Sequence, residues 1–330
     1  MTQTVKTAPK SLPLFVVDTP PFFHRNYTLQ GMMRDTFIAL VPAMALAIYT
    51  YGLPALRVML LAMGTAVLTQ ALWERILERP LRIWDGTALI SGLLFAFLLP
   101  AGAPWWLVVV GSVFMIIIGR EVFGGHGANP LCPPLVGWAA MTVAWPVYMD
   151  PTAMNLMSTL VDPLLKLKYF GAASLPQGSE FSLFMGQQLG GLGSSQIAAV
   201  LAGGIFLVFR HAARWEVPFF FLLSVLFFGL IFWHFSGDLG IDPSKAPAPH
   251  LYLLTGSTMF VAFFLATEYS SSPASIPGLF LYGLIGGLMV VLIRIFGIYP
   301  DGAPFAVLVA SLGSPLYDLI RPKPFGVKTR

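Results

Sequence analysis

A chain of 330 residues that is 56% hydrophobic and only 10% charged, with a mean hydropathy of +0.76, carries too few charges for a water-soluble globule, in which about 25% are charged. One cysteine excludes an internal disulfide framework, and neither haem nor an iron–sulfur cluster is expected on this chain alone. The net charge of +4 comes from Lys and Arg spread along the whole chain with no recognition module around them, which argues for membrane topology rather than nucleic-acid binding.

The first thirty residues hold one short apolar run, Leu12 to Val17, broken by Pro13 and followed by Asp18-Thr19-Pro20-Pro21. That run is too short for a signal-peptide core, so residues 1–30 are expected to be a retained cytoplasmic segment. Ten apolar segments follow, at roughly 31–52, 54–73, 87–100, 104–119, 133–149, 196–210, 217–235, 250–267, 277–296 and 303–320. Segments 87–100 and 196–210 fall short of the ~20 residues a straight span requires, which predicts interrupted helices.

Alternate connections divide the 19 basic residues unequally: fourteen, from Lys6 to Arg330, fall in one set, and Arg57, Lys166, Lys168, Lys245 and Arg294 in the other. The positive-inside rule then places both termini in the cytoplasm and residues 321–330 as a cytoplasmic tail. The longest connection, 150–195, lies on the opposite side and separates residues 31–149 from 196–320, five spans each. Asp85-Gly86-Thr87 opens the third segment and Thr255-Gly256-Ser257-Thr258 the eighth, in matching places of the two halves. Five spans reverse orientation on repetition, so the predicted fold class is an all-α polytopic membrane protein of two inverted five-helix repeats.

Interrupted helices offer dipoles and free carbonyls to ions, which makes segments three and eight, with Thr87 and Thr258, candidates for an ion path. The run Gly124-Gly125-His126-Gly127-Ala128-Asn129-Pro130-Leu131-Cys132-Pro133-Pro134 cannot be a continuous helix. Two readings stand: a re-entrant segment presenting Asn129 to an ion, or an ordinary connection. Cys132 reads as a small apolar filler. Among ionisable residues near segment ends, Asp85, Glu268 and Asp318 are further path candidates. Glu268 either caps a cation path or faces water. Asp85 has a structural reading as a helix N-cap, and Arg294 with Asp301 as an ion pair. Trp73, Trp105, Trp106 and Trp145 read as interface anchors. The glycines Gly186, Gly190 and Gly193 form no dinucleotide fingerprint, because no strand precedes them.

The stretch Asp85–Leu94 ending in Leu99-Pro100, Pro104-Trp105-Trp106, the Gly124–Pro134 loop and Leu183–Gly186 leading to Gly190 and Gly193 together resemble the RnfD/NqrB family. So do Ala266-Thr267 with Ser272-Pro273, Gly283, Gly287, Ile293-Arg294, and Gly302 leading to Pro315–Asp318. The short N-terminus is most like the D subunit of the Rnf-type ferredoxin:NAD oxidoreductase. The resemblance implies a urea-transporter-like fold in a bacterial or archaeal cytoplasmic membrane. It implies partnership with iron–sulfur and flavoprotein subunits, and coupling of electron transfer to Na+ or H+ movement.

Family members carry FMN esterified through its phosphate to a threonine of a Ser-Gly-Ala-Thr motif in the large loop, and some hold a non-covalent flavin. Here the stretch reads Phe170-Gly171-Ala172-Ala173-Ser174: the threonine position holds Ala173, and a one-residue shift offers Ser174 for covalent FMN. Gly193-Ser194 also replaces the family's usual Gly-Glu. By resemblance Gly186, Gly190 and Gly193 are flavin-loop candidates. Two alternatives remain: an independent channel for a small polar solute, and a flavin-free structural subunit of a redox complex.

Overall fold

The computed structural model describes residues 28–154, 160–171, 180–235 and 247–320, all helical or irregular, with no strand among them. Among the described residues five helices are long and apolar enough to cross a membrane: Leu29–Tyr51 (α1), Leu53–Ile76 (α2), Trp105–Phe123 (α4, whose regular α-helix ends at Ile117), Glu216–His234 and Ile276–Phe296. Between them lie shorter apolar helices, Thr87–Leu98 (α3), Pro133–Ala144 (α5), Ile197–Phe209 and Ala303–Leu312. In chain order a connecting helix Pro163–Phe170 is α6, Ile197–Phe209 is α7 and Glu216–His234 is α8. Pro249–Leu254 is α9, Thr258–Phe260 with its π-helical continuation Val261–Leu265 is α10, Ile276–Phe296 is α11 and Ala303–Leu312 is α12.

Local chemistry fixes the boundaries. The Thr28 hydroxyl accepts from the Gly31 amide at 3.1 Å and starts α1; Gly52, at φ +68°, ends it and lets Pro54 begin α2 almost at once. Helix α3 starts after Gly86 (φ +71°) and stops at Leu99, whose extended backbone suits the residue before Pro100. Twelve residues rise only ~18 Å, so α3 cannot cross a bilayer alone. In the other half Thr255 is extended and Gly256 has φ +67°, separating α9 from α10. Gly86 and Gly256 thus break the chain with the same left-handed geometry.

Packing follows one scheme twice. Helix α2 lies against α3 and α4, and α4 against α5; α8 lies against α9 and α11, and α11 against α12. Helices α1 and α7 pack on each other. Asp35 of α1, 2% exposed, accepts from Arg210 Nε at 3.1 Å and Nη2 at 3.3 Å at the end of α7. Small residues permit close approach: a Cβ on Gly287 of α11 would sit 2.5 Å from Ser224 Cβ of α8. The core runs through both halves as one apolar cluster, while Leu72, Phe227 and Leu230 are among many apolar side chains left facing outward, as lipid exposure demands.

Candidate functional site

Two cavities flank the centre, and α3 and α10 run between them in opposite senses. One, of about 70 Å3, is lined by Thr87 and Ser91 from the start of α3 and by Phe264, Thr267 and Glu268 from the end of α10, with His126 and Cys132. The other, of about 310 Å3, is lined by Leu98 at the end of α3 and Gly256 just before α10, with Trp138, Tyr169, Tyr299, Gly190 and Ser194. Between them the rings of Phe97 and Phe260 meet at 5.7 Å, and Phe260 stacks on Phe264 at 5.6 Å. Phe97 and Phe260 are fully buried, so an aromatic seam closes the space between the cavities.

The smaller cavity is lined by two predicted residues from separate parts of the chain, Thr87 and Glu268, and a third, Asn129, bonds to Glu268. The Gly124–Pro134 run is a series of turns with Gly124, Gly125 and Gly127 at positive φ. Its Asn129, buried, accepts from the Gly127 amide at 3.2 Å and donates to Leu131 O at 2.9 Å, thereby holding the turn. The same side-chain amide reaches Ser270 Oγ at 2.7 Å and Glu268 Oε1 at 3.4 Å, joining the two halves. Glu268 Oε2 is buried and has no hydrogen-bond partner. An acceptor-only oxygen left dry in this way is costly unless a cation or proton meets it. His126, outside the helices, is held below the usual imidazole range by burial first and by nearby Arg120 second, so it is neutral at pH 7. Cys132 is buried beside this cluster.

The larger cavity is walled by aromatic rings and prolines and carries three carboxylates, Asp150, Asp162 and Asp301; no Lys or Arg is among its lining residues. Asp162 caps α6, accepting from the Leu164 and Leu165 amides at 2.8 and 3.3 Å. Burial pushes its carboxyl up to about 6, against the opposing pull of those two amides. Gly190 and Gly193 belong to a loop that finishes α3. The Gly193 and Ser194 amides donate to Phe97 O at 3.2 and 3.1 Å, and the Leu192 amide to Leu99 O at 2.8 Å. These bonds satisfy carbonyls that a short helix would otherwise leave bare. A Cβ on Gly193 would fall 2.4 Å from the Phe97 ring, so that glycine is explained by packing.

Arg294, nearly buried, holds the second break. Its Nη1 donates to Tyr252 O (2.8 Å) and Thr255 Oγ1 (3.3 Å), and its Nη2 to Thr255 O (2.9 Å), Thr258 Oγ1 (2.7 Å) and Asp301 Oδ1 (3.3 Å). Asp301 in turn accepts from the Ser257 amide at 3.0 Å and from its hydroxyl. The sequence-predicted Arg294–Asp301 pair is therefore present, and predicted Thr258 serves inside this clamp.

Other candidates lie apart. Asp318 accepts from the exposed Ala274 amide at 2.9 Å, away from both cavities. Gly186, at φ +83°, sits against Gln196. Asp85 ends a short 3-10 turn (Ile83–Asp85), and the cap position of α3 is taken by Gly86 without a side-chain bond, which corrects the N-cap reading of Asp85. The free left-handed φ of glycine, and not a carboxylate, sets that helix start. Ser174 lies outside the described residues. Sequence reasoning missed Asp162 and the buried Arg120; the Asp162-Pro163 pair, an N-cap followed by proline at the first helical position, was the available signal for the former.

The family model for the NQR2, RnfD, RnfE family matches residues 16–326. The chain belongs to this family. It is 34% identical over 307 residues to the D subunit of the Na(+)-translocating ferredoxin:NAD(+) oxidoreductase complex of Acetobacterium woodii, covering 92% of each chain. It is 32% identical over 354 residues to the D subunit of the ion-translocating oxidoreductase complex of Escherichia coli, covering 95% of this chain and 99% of the relative in strain SMS-3-5, with the same figures in strain K12. Among the described residues, both cavities and the Arg294 clamp place polar groups beside the broken segments α3 and α10.

Proposed function

We propose that this chain is the membrane-embedded D subunit of an Rnf-type complex in a bacterial or archaeal cytoplasmic membrane, coupling electron transfer to movement of Na+ or H+ between its two cavities. The observation that carries the reading is the antiparallel pair of broken segments, α3 and α10, each ending at both cavities with a buried carboxylate, Glu268, at one of them. Ten crossings in two inverted five-helix repeats account for the doubled packing scheme and for the left-handed glycines at Gly86 and Gly256. With the positive-inside rule, the smaller cavity then faces the cytoplasm and the larger the outer side. Partners are the iron–sulfur and flavoprotein subunits that deliver and remove electrons.

For a flavin, the larger cavity is lined by the aromatic side chains of Trp138, Tyr169 and Tyr299, which suit a neutral ring system. Its carboxylates Asp150, Asp162 and Asp301 do not fit a phosphate. A covalent FMN would be carried on Ser174, outside the described residues, and a bound flavin would supply one-electron steps.

Purification from the native membrane tests the reading. Co-purification with iron–sulfur and flavoprotein subunits, and redox-driven cation uptake into vesicles, are expected; a lone homo-oligomer with flux of a polar solute would replace this proposal with an independent channel. An FMN mass increment on the peptide containing Ser174 is the expected mark of covalent attachment, and flavin absorbance released intact on denaturation would instead show non-covalent binding.

A further inference from the structure

Of the residues lining the smaller cavity only His126 and Tyr269 are exposed, so these two mark its mouth. Tyr269 is 52% exposed, follows Glu268 directly and lies in a turn beyond the end of α10. Its hydroxyl donates to the carbonyl of Ala212, in the connection between α7 and α8, and Ala212 lines the same cavity. The tyrosine side chain therefore links two walls of the cavity at its exposed end.

The wall that receives this bond is anchored. The Ala212 and Ala213 amides donate to Leu207 O at 2.9 and 3.3 Å, which folds the connection back onto the end of α7. Arg210 pins that end to buried Asp35 of α1. Tyr269 is half exposed, so turning its ring outward exchanges the bond to Ala212 for one to water, a step that costs about as much as one neutral hydrogen bond. The inner end of the cavity is different: Phe97 and Phe260 are fully buried, and parting them would open a void in the core. The mouth at Tyr269 is thus the easier place to admit water and ions to Glu268.

We propose that Tyr269 is the door of the smaller cavity, closed while its hydroxyl rests on the Ala212 carbonyl and open when that bond is released. The frame on either side stays in place as the ring turns, because Ala212 is tied to α7 and α7 to α1. A door beside Glu268 lets that carboxylate exchange its cation with one side while the aromatic seam still separates it from the larger cavity. That use of the door rests on the assignment of Glu268 to the cation path; the door itself does not.

The sole cysteine of the chain, Cys132, lines this cavity at 1% exposure and reports on access to it. The purified complex is treated with aminoethyl methanethiosulfonate, and the mass increment on the peptide containing Cys132 is followed in time. In wild type the reaction should be at least ~10-fold slower than in the denatured complex, since the thiol is reached only through the open door. Tyr269→Phe keeps the ring and removes the latch; it is expected to speed the labelling about fivefold, the ratio set by one neutral hydrogen bond. Tyr269→Ala removes the door and should speed it at least ~10-fold. Ser91→Cys, a second lining position, should show the same gains on a Cys132→Ala background, whereas Ser194→Cys in the larger cavity should show none. Unchanged rates at both Cys132 and Ser91→Cys in the two Tyr269 variants would overturn the proposal. So would an equal gain at Ser194→Cys, which would mean general loosening, or wild-type Cys132 reacting as fast as in the denatured complex. If the reporters behave as expected but Glu268→Gln leaves cation-coupled turnover unchanged, the door stands and the cation path through Glu268 falls.

Discussion

Replacing Arg294 with methionine is expected to lower the thermal midpoint of the purified complex by roughly 10 °C, the consequence of a loss of about 3–5 kcal/mol when one partner of a buried charged network is removed. Methionine matches the apolar stem but donates nothing. The Tyr252 and Thr255 carbonyls, freed from helix bonding by the Gly256 break, would keep only the Thr258 hydroxyl as donor, and Asp301 would lose its buried cation. Asp301 would still accept from the Ser257 amide, so the break would loosen rather than vanish. Arg294→Lys should fall between wild type and the methionine variant, because one ammonium cannot reach acceptors spread over Tyr252, Thr255, Thr258 and Asp301. A methionine variant melting within about 2 °C of wild type would show that the clamp is not what stabilises the second broken segment.

Glu268→Gln should reduce cation-coupled turnover of the assembled complex at least ~10-fold, since one close charge–charge contact at an effective dielectric near 20 is worth a few kcal/mol. The amide keeps the volume and can still accept from Asn129 and Ser270, so assembly and melting should change little. Electron transfer uncoupled from cation movement should survive. Glu268→Asp should retain part of the coupled rate, because the charge is kept while the oxygen withdraws from Asn129. Coupled turnover in Glu268→Gln equal to wild type would remove Glu268 from the path and leave the carboxylates of the larger cavity as the alternative.

Much of this architecture could be read from residue order. Each of the ten apolar segments became a helix or a broken helix, because Gly and Pro fall at their ends and apolar runs between. Gly52-Leu53-Pro54 divides α1 from α2, and Leu99-Pro100 stops α3. What escaped detection depends on contacts between distant segments. No local pattern distinguishes the π-helical Val261–Leu265 from an ordinary apolar turn, since the wider winding is set by packing. Asn129 stood out as a polar residue among prolines, but its joining of Glu268 and Ser270, about 140 positions away, needs the fold. Asp318 carried the same signal in sequence as Glu268, yet its carboxylate ends on a surface amide. Arg120 looked like one basic residue of a cytoplasmic connection; only the fold shows it buried beside Glu121. Gly190 and Gly193 read by resemblance as a flavin loop, and the structure gives them a second use as the terminus of α3.

Sided labelling tests the inverted arrangement most directly. In a background carrying Cys132→Ala, which removes the sole native thiol, Tyr169→Cys at the rim of the larger cavity and Trp84→Cys before the break at Gly86 are each treated with a membrane-impermeant thiol reagent. Tyr169 and Trp84 are 63% and 88% exposed on this chain. Tyr169→Cys should react only in right-side-out vesicles and Trp84→Cys only in inside-out vesicles. Reaction of both from the same side would contradict an opposed pair of broken segments joining two cavities across the membrane.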